Sequence, residues 1–292
     1  MKRGPELRAE LRDELGAHVS VAGGTPNAPA RAAALDAAVM QVFTKQPNRW
    51  AERQVDDGES AAFRAARNEH GIRTVASHDS YLINLATPDP TLLQRSLSSF
   101  IAEVRRCEAL GIEYIISHPG NATDGDADRG LAQNAEAIID ALNAVPGSVR
   151  VLLEGTAGSG TALGATFQEL AALVERIGAV QPDRVGICLD SCHLWAAGYD
   201  LRQLDDVVTE LDDTVGLEHL RFLHLNDSVA PFDSRRDRHA DIGQGTIGED
   251  GFRAIMTHPA LRDVPKVIET PKGDDPETAD RANLAILRAF RD

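Results

Sequence analysis

The chain has 292 residues, of which 42% are hydrophobic, and its formal net charge is −15, from 30 Lys and Arg against 45 Asp and Glu. This length and composition suit one large domain, and no apolar run approaches the roughly 20 residues that a membrane span requires. The negative charge argues against a nucleic-acid partner, which usually needs a basic protein face. It does not exclude one, because metal ions bound at a site would add positive charge that this count omits.

The start of the chain and the cysteines bear on its location. Residues 1–16 are charged and contain no apolar h-region, so we expect no secretory signal, and we expect residues 1–14 to form a short extension. The three cysteines are Cys107, Cys188 and Cys192, and this small, odd number predicts reduced thiols in the cytoplasm. Cys188 and Cys192 do not form a Cys-x-x-Cys pair, so we expect no zinc site built on thiolates.

Strand-like and helix-like patterns alternate about eight times with short connections between them. The predicted strands are residues 15–19, 38–43, 73–77, 113–117, 149–153, 184–189, 220–225 and 266–268. The predicted helices are residues 26–35, 57–70, 90–110, 126–143, 167–177, 204–215, 252–257 and 277–290. This alternation predicts an α/β fold, a single-domain (β/α)₈ TIM barrel over residues 15–292, with a doubly wound open sheet as the alternative.

A histidine or an acidic residue lies at the carboxyl end of six of the predicted strands, either near the last position or directly after it. These residues are His78, His118, Glu154, Asp190, His224 and Glu269. TIM-barrel enzymes build their sites at the carboxyl ends of the strands. If these six positions were only helix caps or turns, we would not expect all of them to be His, Asp or Glu. These three residue types are ligands for borderline divalent ions such as zinc. The pattern therefore predicts a metal site at this face.

Three further residues extend the candidate set to nine. His193 follows Asp190 by three positions, and Asp237 and His239 lie on the loop after the seventh predicted strand. The residues of that loop alone do not decide between metal binding and ordinary structural roles. The candidate residues at the strand ends favour metal binding. A catalytic mononuclear zinc ion needs three protein ligands, so nine candidates predict two or three ions, bridged by a carboxylate such as Glu154. Such clusters suit phosphoester hydrolysis, because they can hold both the attacking and the leaving oxygen.

The residues alone do not decide the roles of two other features of this face. His18 ends the first predicted strand, and it could be a ligand or a hydrogen-bond partner of one. The loop after His78 carries Tyr81, Leu82 and Ile83, which either pack on the barrel or wedge into a stack of DNA bases. Spacing alone favours packing.

The motifs of the sequence resemble those of the endonuclease IV family of apurinic/apyrimidinic endonucleases. The matching stretches, in order between Leu15 and Thr270, are GAHVSVAGG, SHDSYLINLA, SHPGNATDG, LLEGTAGSG, GICLDSCHLWAAGYDLR, LHLNDS, SRRDRHADIGQGTIG and VIET. The resemblance implies a (β/α)₈ barrel with three Zn²⁺ ions per chain, with Mn²⁺ as an alternative at one site. It also implies that Tyr81 and Leu82 belong to a loop that penetrates DNA, which raises the wedge interpretation above packing.

The resemblance implies a ligand set for each ion. The sets are His78, His118 and Glu154 for the first ion, Glu154, Asp190, His224 and Glu269 for the second, and His193, Asp237 and His239 for the third.

The implied activity is DNA repair. The enzyme would hydrolyse the phosphodiester 5′ to an abasic site in double-stranded DNA, leaving a 3′-hydroxyl and a 5′-deoxyribose phosphate, as base excision repair requires. Glu154 or Glu269 would accept the proton of the attacking water, and the sequence does not decide between them. A metal-dependent sugar isomerase or epimerase on a related barrel is one alternative, and a lesion-binding protein that does not cut is another. We expect a monomer without a membrane partner.

Three positions depart from the family pattern. Asn48 stands where an Arg often precedes the Trp, with Arg49 one position later, so both are candidate DNA contacts. Val229 stands where Lys is common, and Gly155 stands where an Asn often follows the bridging Glu. These departures concern DNA affinity and the support of the ligands, and no expected ligand is missing.

Overall fold

Eight short strands pair in parallel and close on themselves into a barrel. The structure is a computed structural model that describes residues 14–291, so the predicted extension over residues 1–14 lies almost entirely outside the described residues. The barrel strands are β1 (Leu15–His18), β2 (Val39–Val42), β3 (Thr74–His78), β4 (Tyr114–Ser117), β5 (Arg150–Glu154), β6 (Val185–Asp190), β7 (Leu220–His224) and β10 (Lys266–Ile268). The order around the barrel is β1-β10-β7-β6-β5-β4-β3-β2.

The closure of the sheet decides between the two predicted architectures. β1 pairs with β2 on one side and with β10 on the other, so this sheet has no free edge. This confirms the (β/α)₈ barrel, and the alternative of a doubly wound open sheet is wrong. Gly16 permits the close approach of β1 and β2, because a Cβ atom at this position would lie 1.7 Å from the carbonyl oxygen of Val39.

Helices connect successive barrel strands. They are α1 (Ala28–Ala34), α2 (Asp57–Glu69), α3 (Pro90–Leu110), α4 (Ala127–Ala144), α5 (Phe167–Gly178), α6 (Ser191–Ala197), α7 (Leu204–Thr214), α8 (Gly248–Thr257) and α9 (Pro276–Ala289). No helix within residues 14–291 is both long enough and apolar enough to cross a membrane.

The bounds of the long helix α3 follow from local chemistry. The Asp89 carboxylate accepts hydrogen bonds from the backbone N–H groups of Thr91 and Leu92, and Pro90 occupies the first turn, where its missing N–H costs nothing. Gly111 ends the helix with a φ of 72°, which is a left-handed conformation that glycine adopts without strain. The predicted bounds of this helix are therefore confirmed.

Two apolar layers stabilise the barrel, one between the strands and the helices and one in the barrel interior. The interior side chains are fully buried: Val39, Ala76, Ile116, Leu152, Cys188, Phe222 and Val267. Because side chains alternate along a strand, the residue two positions after each of these also faces the interior, at the carboxyl end. These residues form a ring above the apolar layer: Gln41, His78, His118, Glu154, Asp190, His224 and Glu269.

Two elements that the sequence pattern did not predict shape the mouth of the barrel. The short helix α6 begins directly after β6, where the Asp190 carboxylate accepts hydrogen bonds from the N–H groups of Cys192 and His193. A two-stranded antiparallel ribbon, β8 (Asp227–Ser228) and β9 (His239–Ala240), folds the loop after β7 back over the mouth. Both elements bring residues of the candidate site towards the ring.

Candidate metal centre

Nine ligand-type side chains converge at the carboxyl end of the barrel, and they are the nine that the sequence singles out. They form three groups, and the candidate ligand atoms in each group lie within 4.8 Å of one another. The groups are His78, His118 and Glu154; Glu154, Asp190, His224 and Glu269; and His193, Asp237 and His239. Glu154 belongs to two groups, which is the geometry expected of a bridging carboxylate.

In the first group, two imidazoles face one carboxylate oxygen. The Nε2 atoms of His78 and His118 lie 3.1 and 3.0 Å from Glu154 Oε2. The side chains of His78 and Glu154 are buried, whereas that of His118 is 40% exposed. This group is therefore open to solvent on the His118 side.

The second group is the most deeply buried. His224 Nδ1 lies 2.9 Å from Glu154 Oε1, 3.2 Å from Glu269 Oε2 and 3.8 Å from Asp190 Oδ2. The side chains of His224 and Asp190 are wholly inaccessible, while Glu269 retains 17% exposure. Three carboxylates therefore surround one imidazole nitrogen, which concentrates negative charge at the centre of the mouth.

The third group combines α6 with the ribbon. Asp237, on the loop just before β9, places one carboxylate oxygen 3.2 Å from His193 Nε2 and the other 3.2 Å from His239 Nε2. Its side chain is 48% exposed. This group forms the outer side of the centre, next to the solvent.

Hydrogen bonds on the outer side of the rings decide which histidine nitrogen faces the carboxylates. The Nδ1 atoms of His78, His193 and His239 lie 3.0, 2.9 and 3.2 Å from the backbone carbonyls of Asp79, Gly155 and Glu269. A carbonyl only accepts, so each Nδ1 carries a proton, and in the neutral ring each Nε2 presents a lone pair to a carboxylate. Two acceptors that face each other require a proton or a metal ion between them.

Electrostatics favour a cation in these positions. Burial lowers the pKa of His78, but the carboxylates of Glu154, Asp79 and Glu269 together outweigh burial and raise this pKa to about 9. Burial acts in the same way on His193, and Asp190 and other carboxylates outweigh it, so the pKa of His193 rises to about 10. The pKa of His239 rises to about 9 for the same reasons. Without metal, the three rings hold protons at neutral pH, and a metal ion would replace those protons.

The donor set fits zinc. His239 Nε2 is buried and makes no hydrogen bond, although a carboxylate oxygen of Asp237 lies nearby. An orphaned imidazole nitrogen is costly unless a proton or metal ion satisfies it. Imidazole and carboxylate groups that are oriented by hydrogen bonds on their outer side are typical of zinc sites in proteins.

Cys192 is a further ligand-type side chain at the mouth, although its spacing from Cys188 predicts no zinc site built on thiolates. Its sulfur lies within 4.8 Å of candidate ligand atoms of Asp190 and His239. Burial, followed by the charge of Asp190, raises the pKa of the Cys192 thiol to about 12. A thiol must lose its proton to bind metal, so the carboxylates and imidazoles are the better donors.

Two further side chains at the mouth, His18 and Gln41, belong to none of the three groups. His18 Nδ1 lies 3.1 Å from Glu269 Oε1, so His18 contacts a candidate ligand rather than joining the set of ligand atoms. Gln41, on β2, contacts His18, His224 and Glu269. Glutamine is not a usual zinc ligand, so its residue type does not mark Gln41 as part of this site. Its position two residues after the interior-facing Val39 does predict that it faces the mouth.

The candidate DNA contacts lie on two neighbouring loops at the mouth, one after β2 and one after β3. Tyr81 is 60% exposed, with its ring edge-on to Phe43 at 5.4 Å, and Leu82 is half-buried. Asn48 and Arg49 are both exposed on the loop after β2, where Lys45 Nζ donates a hydrogen bond of 2.7 Å to the Arg49 carbonyl. These side chains are accessible to a large ligand on this face.

Gly155 places its carbonyl oxygen against His193 rather than contributing a side chain. A Cβ atom at this position would lie 3.2 Å from Leu189 Cδ2, so a larger residue would need a small shift of that flexible side chain. The backbone support of His193 therefore does not depend on the Asn that the family pattern often has here.

Comparison with known proteins identifies relatives along almost the whole chain. The family described as xylose isomerase-like TIM barrel matches residues 29–290. A probable endonuclease 4 of Chloroflexus aurantiacus is 45% identical over 279 residues, which cover 94% of this chain and 97% of the relative. The crystal structure of endonuclease IV from Thermus thermophilus matches with a TM-score of 0.84 and 36% identity, over 94% of this chain and 98% of that one.

More distant structures share only the barrel. A D-psicose 3-epimerase from Clostridium cellulolyticum matches with a TM-score of 0.65 at 18% identity, over 95% of this chain and 99% of that one. Identity this low shows a common fold and says nothing about activity. The matches at 36% and 45% identity are of a different kind, because they extend over nearly the full length of the chain and of its relatives. The chain belongs to the endonuclease IV family of apurinic/apyrimidinic endonucleases.

Proposed function

We propose that this protein is a zinc-dependent enzyme that hydrolyses the phosphodiester 5′ to an abasic site in double-stranded DNA. Its products would be a 3′-hydroxyl and a 5′-deoxyribose phosphate, as base excision repair requires. The observation that carries the proposal is the set of three ligand groups at one barrel mouth, two of which share Glu154. Family membership supports the nuclease activity.

Three Zn²⁺ ions are the proposed complement, one for each group, with Mn²⁺ as an alternative at one of them. When bound, the ions would stabilise negative charge on phosphate oxygens and make water a better nucleophile at neutral pH. The nine side chains would hold them through imidazole nitrogens and carboxylate oxygens, which are common zinc donors.

Glu269 is the residue that we propose as the proton acceptor. Its side chain keeps 17% exposure, against 1% for Glu154, so a water molecule at the mouth reaches Glu269 more readily. Both oxygens of Glu154 face imidazoles of the first two groups, which suits a bridging ligand. The charge of His224 and the hydrogen bond with His18 outweigh burial and keep the pKa of Glu269 below its usual range, so the carboxylate is ionised at neutral pH and able to accept a proton.

The loops around the mouth would bind and distort the DNA. We propose that Tyr81 and Leu82 enter the base stack beside the lesion, while Asn48 and Arg49 contact the strand from the neighbouring loop. An abasic nucleotide has no base pair to break, so it would be extruded into the metal centre at low cost. The exposure of Tyr81 supports insertion over packing.

The proposal is tested by incision of a duplex that contains one abasic analogue, with and without a chelator. We expect a single cut on the 5′ side of the lesion, loss of cutting after chelation and recovery on addition of zinc. Circular dichroism of the chelated protein would show whether the loss reflects unfolding. A protein that cuts at full rate after its metal has been removed would contradict the proposal.

The same assay distinguishes the alternatives. A lesion-binding protein would retain the abasic duplex under single-turnover conditions without cutting it. A sugar isomerase or epimerase would leave the duplex intact and convert a sugar. The monomeric state, the cytoplasmic location and the single-domain boundary at residue 15 stay predictions.

A further inference from the structure

Gln41 is a buried polar side chain at the centre of the barrel mouth. It is wholly inaccessible to solvent, and its interior-facing position on β2 matches that of the candidate ligands on the other strands. Its Oε1 atom lies 2.8 Å from His224 Nε2. Its Nε2 atom lies 2.6 Å from Glu269 Oε1 and 2.9 Å from His18 Nδ1.

The contact with Glu269 fixes the orientation of the Gln41 amide. If the amide were rotated by half a turn, its carbonyl oxygen would lie about 2.6 Å from a carboxylate oxygen, and both atoms are acceptors. The amide nitrogen must therefore face Glu269, and the carbonyl oxygen must face His224. A carbonyl accepts but cannot donate, so His224 Nε2 carries a proton.

This contact selects the tautomer of His224. With its proton on Nε2, the neutral ring presents the Nδ1 lone pair to Glu154 and Glu269. His78, His193 and His239 have the opposite arrangement, in which Nδ1 donates to a backbone carbonyl and Nε2 faces the carboxylates. The ring of His224 is therefore oriented by a side chain, which a substitution can remove. The rings of His78, His193 and His239 are oriented by backbone carbonyls, which a substitution cannot remove.

We infer that Gln41 is a positioning residue for the second ligand group, which consists of Glu154, Asp190, His224 and Glu269. Its carbonyl oxygen holds His224 with Nδ1 towards the metal position, and its amide N–H groups hold the Glu269 carboxylate beside it. The inference rests on the proposed metal centre. Hydrogen-bond partners of ligands typically change metal affinity by about 10- to 100-fold when they are removed.

Two substitutions separate the contact with His224 from the contacts with Glu269 and His18. Gln41→Leu removes all three hydrogen bonds at similar volume. Gln41→Glu keeps an acceptor for His224 Nε2 but removes the donor to Glu269 and adds a repelling charge. Met40→Ala is the matched control, because Met40 is equally buried on the same strand but packs in the layer between the strands and the helices.

Zinc titration against a chromophoric chelator gives the affinity and number of the ions, and ¹H–¹⁵N correlation of the imidazoles gives the tautomer of His224. We expect both Gln41 variants to bind one zinc ion at least tenfold more weakly than wild type while the other ions stay tight. In zinc-loaded protein, the Nε2–H signature of His224 should persist in Gln41→Glu, whereas in Gln41→Leu, which offers Nε2 no acceptor, a fraction of the rings should carry the proton on Nδ1 instead. Met40→Ala should lower the melting temperature without changing zinc affinity.

The outcomes that overturn the inference are distinct from those that overturn the proposed function. If wild type binds zinc and both Gln41 variants bind it equally tightly with an unchanged tautomer, only the positioning role is wrong. If wild type itself binds no zinc, the metal centre is wrong and the inference falls with it. If Gln41→Leu does not fold, Gln41→Glu alone tests the positioning role. We expect this variant to lose zinc affinity while His224 keeps its proton on Nε2, and unchanged zinc affinity would contradict the inference.

Discussion

At the scale of single residues, the centre depends on which atom of each side chain faces the mouth. His224 and His78 both approach Glu154, one through Nδ1 and the other through Nε2, and both distances are close to 3 Å. The residue types of six candidate ligands could be predicted from the sequence, because each lies at the end of an apolar strand. The choice of nitrogen could not, because it depends on the backbone carbonyl of Asp79 for His78 and on Gln41 for His224.

The role of Glu269 gives a prediction at this scale. Glu269→Gln keeps the size of the side chain but removes the carboxylate charge, so incision should fall by at least about 100-fold with the fold retained. Single-turnover incision and circular dichroism measure the two effects. Glu136→Gln on α4 is the control, since Glu136 is exposed on the outside of the barrel. Near-normal turnover in Glu269→Gln would remove Glu269 from the chemistry.

The raised histidine pKa values predict that zinc binding releases protons. In the metal-free protein His78, His193 and His239 have pKa values of about 9, 10 and 9, so each is protonated at pH 7. Zinc needs the neutral rings, so binding at pH 7 should release roughly three protons from these residues, and affinity should rise with pH up to about 10. Calorimetry in buffers of different ionisation enthalpy counts the protons, and a count near zero would contradict the prediction.

The same pKa values set the stability of the metal-free protein. A pKa raised above the unfolded value of about 6.5 means that the folded state binds the proton more tightly. The stabilisation is therefore complete below about pH 6.5 and is lost as the pH rises through 9 to 10. We expect the metal-free protein to melt at a lower temperature at pH 10 than at pH 7, whereas zinc-loaded protein should show less of this loss.

At the scale of elements, periodicity predicted the strands and helices well but not the short pieces at the mouth. The ribbon of β8 and β9 has two residues in each strand, too few for an alternating pattern. It depends instead on contacts such as the hydrogen bond from the Val229 N–H to the Arg238 carbonyl. Asp237 and His239 could therefore be identified as candidates from the sequence. Their position beside His193 could not be predicted, because it depends on how this loop folds.

The loop after β3 gives a prediction at the element scale. Tyr81 is exposed and Leu82 is half-buried, so replacing both by Ala should weaken binding to abasic duplex by more than it lowers the melting temperature. Fluorescence anisotropy and thermal melting measure the two effects. Leu85→Ala is the matched control on the same loop, because Leu85 is buried in the core and its loss should act mainly on stability. A large fall in melting temperature with unchanged binding and incision would show that Tyr81 and Leu82 pack rather than wedge.

At the scale of the whole molecule, a net charge of −15 must be reconciled with a DNA substrate. Part of the acidic charge lies away from the mouth, as in α7, which carries acidic residues along its length and packs outside the barrel. Carboxylates at the mouth are balanced by the imidazoles and, on the proposed function, by metal ions. On the proposed function, DNA binding would therefore depend on cations near the mouth, and a cation added there should have a measurable effect.

The departures from the family pattern test this dependence. Asn48 is exposed on the loop after β2, and Val229 is 65% exposed on the loop after β7, so each position can receive a cation without disturbing the core. Asn48→Arg or Val229→Lys should tighten binding to abasic DNA and steepen its salt dependence by about one unit of slope for each new interaction with a phosphate. Turnover at saturating substrate should change little, because neither residue belongs to the candidate metal centre.

Val180→Lys is the control of equal charge, since Val180 is 54% exposed between α5 and β6, at the opposite end of the barrel. Anisotropy at several salt concentrations measures affinity and slope for all three variants. If Val180→Lys has the same effect as the other two, the tighter binding comes from net charge alone; if none has an effect, Asn48 and Val229 do not face the DNA.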